Sequence, residues 1–303
     1  MSTPLISVCI AAYNAEKYLE ASLRTVEAQT FKNWELIVTE DGSKDRTEEY
    51  VHNFSFSVTQ RVEYNRHDIN RGIPATRNTG IASAKGDWIA FLDANDLWKP
   101  NHLEYLISAS HIEDGDAIYA GSILYDNATW DKLNTLSPTE RNLANLPVAL
   151  YSGSLPIMSS SVMIKRDSIT KFGPFSSDYP LRSNTEYWLR LHSKGGRMSH
   201  SGANTCIYRQ HSNALSQKAA ASLAESARIC EHYAKWDAIP RRLSRVRLAS
   251  LYRMAGRVLI VENPAAARTV LAKSLHLQPL HPRSLGLWVK AFLRQSTRRR
   301  RAA

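Results

Sequence analysis

The sequence predicts an α/β fold, a mostly parallel sheet flanked by helices, followed by a basic helical appendage. Three observations predict it. β-Rich apolar runs alternate with helical runs over roughly the first 110 residues, joined by short connections. Three of the apolar runs pass straight into polar residues, at Tyr13-Asn14, at Glu40-Asp41 and at residues 93–96, and ligands on parallel sheets sit at the carboxyl ends of strands. From about Ser216 the period becomes helical, and residues 241–303 hold fifteen Lys or Arg against one acid, Glu262.

The elements follow in order. LISVCIAAYN is an apolar run ending in a polar turn, and the helix behind it carries Leu19, Leu23 and Val26 on one face. NWELIVTEDGS is a second strand with an acidic, glycine-containing exit, followed by the short helix SKDRTEEYVHNF. VEYNRHDINRG is a third strand and loop, and IPATRNTGIASAKG a helix closed by Gly86. DWIAFLDAND is the fourth strand, and PNHLEYLISASH opens a helix with Pro100 in its first turn. DAIYAGSILYDN and PIMSSSVMIKRDSI read as further strands of the same body, EYWLRLHSKGG as a helix stopped by glycines, and MSHSGANTCIYRQHSNALS as a returning strand and loop. In the appendage Leu248, Leu251, Tyr252, Ala255, Val258 and Leu259 share a face. Asn263-Pro264 opens a second helix, and a third carries Leu285, Trp288, Val289, Phe292 and Leu293 on one side. The expected division is 1–217 for the α/β domain and 218–303 for the basic helical region.

Composition narrows the function classes. A hydrophobic content of 43% suits a globular protein with a core. No apolar run approaches the roughly 18–20 residues needed to span a bilayer, and the start shows no basic region of a signal peptide. Cys9, Cys206 and Cys230 are scattered and without metal spacing, which fits reduced thiols in a cytoplasmic setting. The whole chain carries +11, with +14 in residues 241–303, so the other 240 residues carry −3. A near-neutral body with a basic tail points to an anionic partner surface. There is no G-x-G-x-x-G after the first strand and no P-loop, so dinucleotide and nucleoside-triphosphatase readings lack their phosphate cradle.

The stretch WIAFLDANDLW needs an explanation of its own. Ionised carboxylates resist leaving water, and Asp93 and Asp96 at a buried strand end repel each other unless something positive sits among them. Helix capping at Pro100 accounts for Asp96 at most.

The ordered series SVCIAAYNAEKYLEASLRTVEAQTFKNWELIVTEDGSKDRT, NRGIPATRNTGIASAKGDWIAFLDANDLWKP and FGPF, EYWLRL, KGGR, YRQHSNALS resembles the inverting family 2 glycosyltransferases of GT-A fold, a Rossmann-like architecture, over residues 5–217. The resemblance implies a transfer of sugar from a nucleoside-diphosphate sugar, with UDP favoured, to a saccharide or lipid-linked hydroxyl in bacterial surface-polysaccharide assembly. It implies that Ala12, Tyr13 and Asn14 cradle the base, with Ala11 where proline is common. Glu40 and Asp41 match acids that contact base and ribose, Glu40 standing for an Asp. Arg77 and Asn78 match a helix start near the nucleotide, and a salt bridge across the cleft is the other reading of Arg77. Asp93-Ala94-Asn95-Asp96 matches an Asp-Ala-Asp-Asp cluster facing ribose and a divalent cation. Mg²⁺ or Mn²⁺ would then be the positive partner, bound by Asn95 and Asp96 with His211 as a further candidate. Asn95 supplies an oxygen but no charge, so weaker metal binding is expected. Such an ion would act as Lewis acid on the departing diphosphate. The family often shows Glu-Asp-x-Asp before the WLRL helix. Here Ser183-Asn184-Thr185-Glu186 stands there, which leaves Glu186 as first candidate base and Asp178 as second. Arg190 matches a helix arginine that organises the cleft.

The tail supports membrane contact over nucleic acid, because aromatic interleaving is sparse and no nucleic-acid motif is present. An apolar Trp/Phe/Leu face edged by Lys290, Arg294 and Arg298 is the composition of an interfacial helix on an anionic inner membrane face. The competing function is a catalytically weak sugar-nucleotide-binding subunit of a membrane assembly, favoured by Asn95 and the missing acid pair. A nucleotidyltransferase would want a glycine-rich, lysine-bearing triphosphate loop, and none is visible.

Overall fold

The computed structural model describes residues 4–54, 60–112, 114–210 and 219–302, with side chains to 296. The candidate metal ligand His211 lies outside the described residues. The elements run β1 (Ile6–Ala12), α1 (Leu19–Glu27), β2 (Trp34–Glu40), α2 (Thr47–Asn53), β3 (Val62–Arg66), α3 (Ile73–Ser83), β4 (Trp88–Asp93), β5 (Leu97–Trp98) and α4 (His102–Ile112). They continue with β6 (Ala117–Asp126), β7 (Lys132–Leu136), α5 (Glu140–Ala144), α6 (Leu146–Ser152), a 3₁₀ turn (Ser159–Ser161), β8 (Val162–Lys165), α7 (Arg166–Phe172), α8 (Ser183–Ser193) and β9 (Met198–Gln210). Four longer helices close the chain: α9 (Ala219–Tyr233), α10 (Arg241–Glu262), α11 (Pro264–Leu277) and α12 (Pro282–Ala302).

The strands form one sheet in the order β3-β2-β1-β4-β8-β6-β9-β5, with β7 on β6. The half β3-β2-β1-β4 is parallel, as its alternation with helices predicts. Beyond β4 the sheet is mixed. β8 runs antiparallel to both β4 and β6, β9 is parallel to β6, and β5 and β7 pair antiparallel at the periphery. Register decides where function can sit. Ala12 pairs with Glu40, Ala11 with Asp93 and Glu40 with Arg66, so three polar strand ends emerge side by side.

The core beneath them is one apolar cluster. Ile6, Val8 and Ile10 of β1 meet Leu36 and Val38 of β2, Ala90 and Leu92 of β4, and the Leu19, Leu23, Val26 face of α1. The other side of β1 carries Ser7, whose hydroxyl donates to Glu35 Oε1 at 2.6 Å. Gly86 passes so close that a Cβ there would lie 2.6 Å from Ser7 N, a backbone approach only glycine permits.

The chain divides into two compact units, residues 1–145 with 155–211, and residues 146–154 with 212–303. In the second, α10, α11 and α12 pack in sequence around Ile260, Ala267, Leu271 and Ala291. α6 joins this unit, where the Tyr151 hydroxyl donates to the Cys230 carbonyl at 2.9 Å. All three cysteines are buried and unbridged.

Candidate active site

The site is built where β1, β2 and β4 end. After β1, Asn14 adopts φ 47° and stitches two turns together. Its N–H donates to Ser43 Oγ at 2.9 Å, and Lys44 N–H donates to its Oδ1 at 3.0 Å. Ala12 is buried beneath, and Tyr13 is left 48% exposed with its ring available to a planar ligand.

The acids after β2 face inward. Glu40 is buried, ion-pairs with Arg66 Nε at 3.1 Å and accepts from Ser43 N–H. Asp41 Oδ1 accepts from Arg71 N–H at 2.8 Å and faces His67 Nδ1 at 2.7 Å, while Oδ2 accepts from Gly72 N–H at 2.8 Å. Burial would raise the Asp41 pKa, but hydrogen bonds from Arg71, His67 and Gly72 outweigh it and hold the carboxyl below its ordinary value. Gly42 has φ 68°, and a Cβ there would lie 2.6 Å from the Ile69 carbonyl carbon. Asp41 therefore clamps the loop that leads into α3, and this sets where Arg77 emerges.

Arg77 is the hub. It is 4% exposed, and its Nη2 lies 2.7 Å from Asp93 Oδ1 and 2.6 Å from Ser159 Oγ. Its Nη1 donates to Asn184 Oδ1, and its guanidinium lies over the Phe175 ring at 5.6 Å from the centroid. Asn78 fixes that ring, exchanging hydrogen bonds of 2.9 and 3.0 Å with the Phe175 backbone.

The two acids of residues 93–96 have positive partners within the protein. Asp93 has a side chain 29% exposed, and its Oδ2 accepts from Ser159 Oγ at 3.1 Å. Asp96 is fully buried. Its Oδ2 accepts from Ser160 Oγ at 2.5 Å and its Oδ1 from Arg209 N–H at 3.2 Å. Burial, reinforced by the Asp93 charge, pushes the Asp96 pKa up. Arg209, near the end of β9, donates through Nε to the Asn95 carbonyl and packs over the Tyr18 ring. So Arg77 attends Asp93, and Arg209 sits behind Asp96.

The donor set for a divalent ion consists of oxygens: the part-exposed Asp93, the half-buried Asn95 and the buried Asp96. Hard oxygen donors suit Mg²⁺ or Mn²⁺. Among the described residues no group of three His, Cys, Asp or Glu is close enough to hold an ion, so the amide of Asn95 would have to complete the set.

Of the two candidate bases, Glu186 is buried and held by Arg190 in a two-pronged pair, Nε to Oε1 at 2.9 Å and Nη2 to Oε2 at 3.0 Å. Arg190 also donates to the carbonyls of Phe172 and Pro174, so the pair tethers the chain ahead of Phe175. Asp178 lies exposed between Phe175 and α8. Two residues along a helix turn a side chain through roughly 200°, which is why Asn184 reaches Arg77 while Glu186 reaches Arg190. Sequence reasoning passed over Ser159 and Ser160 and read Asn184 only as a missing acid. The three consecutive serines before β8, all buried, were the available signal, since hydroxyls at such a place need partners.

The profile of Glycosyl transferase family 2 matches residues 7–172, which contain β1 to β4 and the serine turn. The chain belongs to that family. Within the family it is 27% identical to EpsH of Bacillus subtilis over 234 residues, 75% of this chain and 67% of EpsH. It is 41% identical over 108 residues to the Escherichia coli UDP-Glc:alpha-D-GlcNAc-diphosphoundecaprenol beta-1,3-glucosyltransferase WfgD, 36% of this chain and 42% of WfgD. The match thus spans less than half of WfgD. The fold is that of Staphylococcus aureus TarS residues 1–349, solved with UDP (TM-score 0.62, 14% identity, 97% of this chain and 91% of that one). It is shared with the mannosyltransferase PcManGT of Pyrobaculum calidifontis, solved with GDP-Man and Mn²⁺ (TM-score 0.63, 14% identity, 96% and 87%). The family 2 fold is therefore GT-A.

Proposed function

We propose that this family 2 chain transfers a sugar from a UDP-type nucleoside-diphosphate sugar, with inversion, to a hydroxyl of a saccharide or lipid-linked acceptor in cell-surface polysaccharide synthesis. The observation that carries the reading is the Arg77–Asp93–Ser159–Asn184 cluster at the carboxyl ends of a parallel half-sheet. UDP bound to the GT-A neighbour TarS and the diphosphoundecaprenol-linked substrate in WfgD's name support the donor and acceptor classes. Tyr13 would stack on the base, Ala12 and Asn14 would shape its turn, and Glu40 and Asp41 would hold the base and ribose pocket. Arg77 would set the charge beside the diphosphate. Asp93, Asn95 and Asp96 would hold Mg²⁺ or Mn²⁺, which when bound supplies Lewis-acid stabilisation of the departing diphosphate. Glu186 and Asp178 are the two candidate bases, Glu186 buried and paired with Arg190, Asp178 exposed in the loop after Phe175.

A second reading, a sugar-nucleotide-binding subunit of weak activity, is favoured by one observation. Asn184, not a carboxylate, contacts Arg77 where the family often carries an acid. One experiment separates the readings. The purified chain is offered UDP- and GDP-sugars with Mn²⁺ and diphosphate-lipid-linked saccharides, and the product's anomeric configuration is read by NMR. An inverted glycoside is expected. Retained configuration would overturn the inversion. Donor binding without transfer to any acceptor would install the second reading.

We further propose that the protein works in the cytoplasm, peripheral to the inner face of the membrane, a reading supported by the excess of Lys and Arg over acids in residues 241–303.

A further inference from the structure

α12 has two apolar sides, and only one is covered. Inward, Ser284 and Ala291 are fully buried, and Leu287 and Trp288 pack on Ile260, Ala267 and Leu271. Arg268 of α11 donates to Gln295 Oε1 at 2.8 Å and lies over the Trp288 and Phe292 rings, 5.2 and 4.9 Å from their centroids. These contacts fix the helix's rotation. Outward, Leu285, Val289, Phe292 and Leu293 are 50, 43, 44 and 59% exposed. Their spacing puts them on one stripe of the helix. Single exposed apolar residues are ordinary on a protein surface, but a fixed stripe of four is a contiguous patch.

The charge along the helix identifies its partner: at about 100° per residue Lys290 flanks the Leu293 edge of the stripe, with Arg283 and Arg294 further round the same side. Arg283, Lys290 and Arg294 are exposed along the same helix. Residues 263–303 contain nine Lys or Arg and no Asp or Glu. The partner must therefore offer negative charge and an apolar layer together. A nucleic acid offers the charge but gives three aliphatic side chains no apolar layer. A second copy of the same face offers apolar area but opposes cation to cation.

We propose that the Leu285–Val289–Phe292–Leu293 face of α12 docks the protein on an anionic lipid surface, with its apolar side chains entering the headgroup boundary and Arg283, Lys290 and Arg294 meeting the phosphates. This does not depend on the transfer reaction. It places the chain beside an acceptor of the lipid-linked class.

The test is co-sedimentation of the full chain with vesicles of phosphatidylcholine alone and of phosphatidylcholine mixed with phosphatidylglycerol. Binding to the mixed vesicles alone is expected, weakening as salt rises. Lys290→Glu combined with Arg294→Glu lowers partitioning at least about tenfold. Val289→Ser combined with Leu293→Ser lowers it by a similar factor, on the order of tenfold, while keeping the charge. These positions are exposed, so thermal unfolding and nucleotide binding stay unchanged. Deleting the helix would be a poorer test, because it strips Ala291 and Trp288 from α11. Equal binding to both vesicle types overturns the proposal. So does normal partitioning of the serine variant, a concentration-dependent dimer lost in that variant without vesicle binding, or RNA binding in place of vesicle binding.

Discussion

Arg77 Nη2 lies 2.7 Å from Asp93 Oδ1, so a cation from α3 occupies the place beside the acid that ends β4. The pair is asymmetric, because the arginine is almost fully buried and the aspartate keeps part of its surface. Removing the arginine leaves a partly desolvated carboxylate and strips a donor from Ser159 and Asn184. Arg77→Ala is expected to destabilise the fold by about 2–4 kcal/mol and weaken nucleotide binding. Arg77→Lys should recover part of the stability but not the fork that reaches Asp93 and Asn184 together. Chemical denaturation and calorimetry with UDP check both, and unchanged UDP affinity in Arg77→Ala would remove Arg77 from the nucleotide site.

Ser160 joins the Asp96 carboxylate to the Asp93 backbone. Its hydroxyl donates to Asp96 Oδ2 and accepts from Asp93 N–H at 3.0 Å. Ser160→Ala leaves two buried polar groups short of a partner, at a cost of about 1–3 kcal/mol. Donor affinity measured with Mn²⁺ is expected to fall about tenfold, in proportion to that cost. Ser161→Ala is the control, since its hydroxyl bonds only within its own turn, to the Met158 carbonyl at 2.8 Å. Equal losses in both variants would show that the turn merely packs.

The parallel half of the sheet was legible because each strand and helix declares itself within a few residues. The strand ends were legible because acids interrupt apolar runs there. The rest depends on distant pairing. β8 follows β6 in the chain but enters the sheet between β4 and β6, and α6 leaves its sequence neighbours for α10, neither announced by a local period. Asn184 was legible only as a missing acid, and Ser159 not at all, for the same reason. They are neutral, and their roles come from an arginine 107 and 82 positions away. Glu186 drew attention as the nearest carboxylate, and helix geometry pairs it with Arg190 at i+4.

Acid should destabilise the fold from a relatively high pH. His102 is fully buried, stacked on Trp98 with ring centroids 4.4 Å apart, and faces Thr205 Oγ1 at 2.7 Å. Burial lowers its pKa from 6.5 to about 3, and burial likewise lowers His192 to about 4. Below the ordinary value the unfolded chain binds protons that the folded chain refuses, so stability rises with pH through this window. Each such histidine removes about 1.4 kcal/mol per pH unit on going down from about 6. Urea denaturation between pH 7 and pH 5, taken as roughly the upper part of that window, should show the slope, and His102→Gln should flatten it. An unchanged slope would place the protonation elsewhere.

Residue 95 tests the metal site without any turnover. Asn95→Asp adds a charge to a donor set of two carboxylates and one amide, so Mn²⁺ affinity should rise, by roughly tenfold for a charged in place of a neutral oxygen ligand. Titration of the Mn²⁺ paramagnetic resonance signal reads this directly. Equal affinity would mean that residue 95 does not face the ion.

The base is decided by two carboxylates in different surroundings. An inverting displacement needs an acceptor hydroxyl to lose its proton to a group within hydrogen-bond reach. Glu186 is buried, and both its oxygens accept from Arg190, which in turn holds the Phe172 and Pro174 carbonyls. Asp178 is exposed in the loop that follows Phe175. If Asp178 is the base, Asp178→Asn is expected to leave UDP binding unchanged while lowering turnover by about 10²–10⁴-fold. Glu186→Gln should instead lower the unfolding temperature, because it halves the Arg190 clamp, and any loss of turnover should track that loss of stability. Asn184→Asp supplies the contrasting gain. A carboxylate at 184 would restore the acid that the family often carries there, so restored or raised transfer in that variant, with Asp178→Asn silent, would move the reaction's base to position 184 and leave the natural chain as the nucleotide-binding subunit.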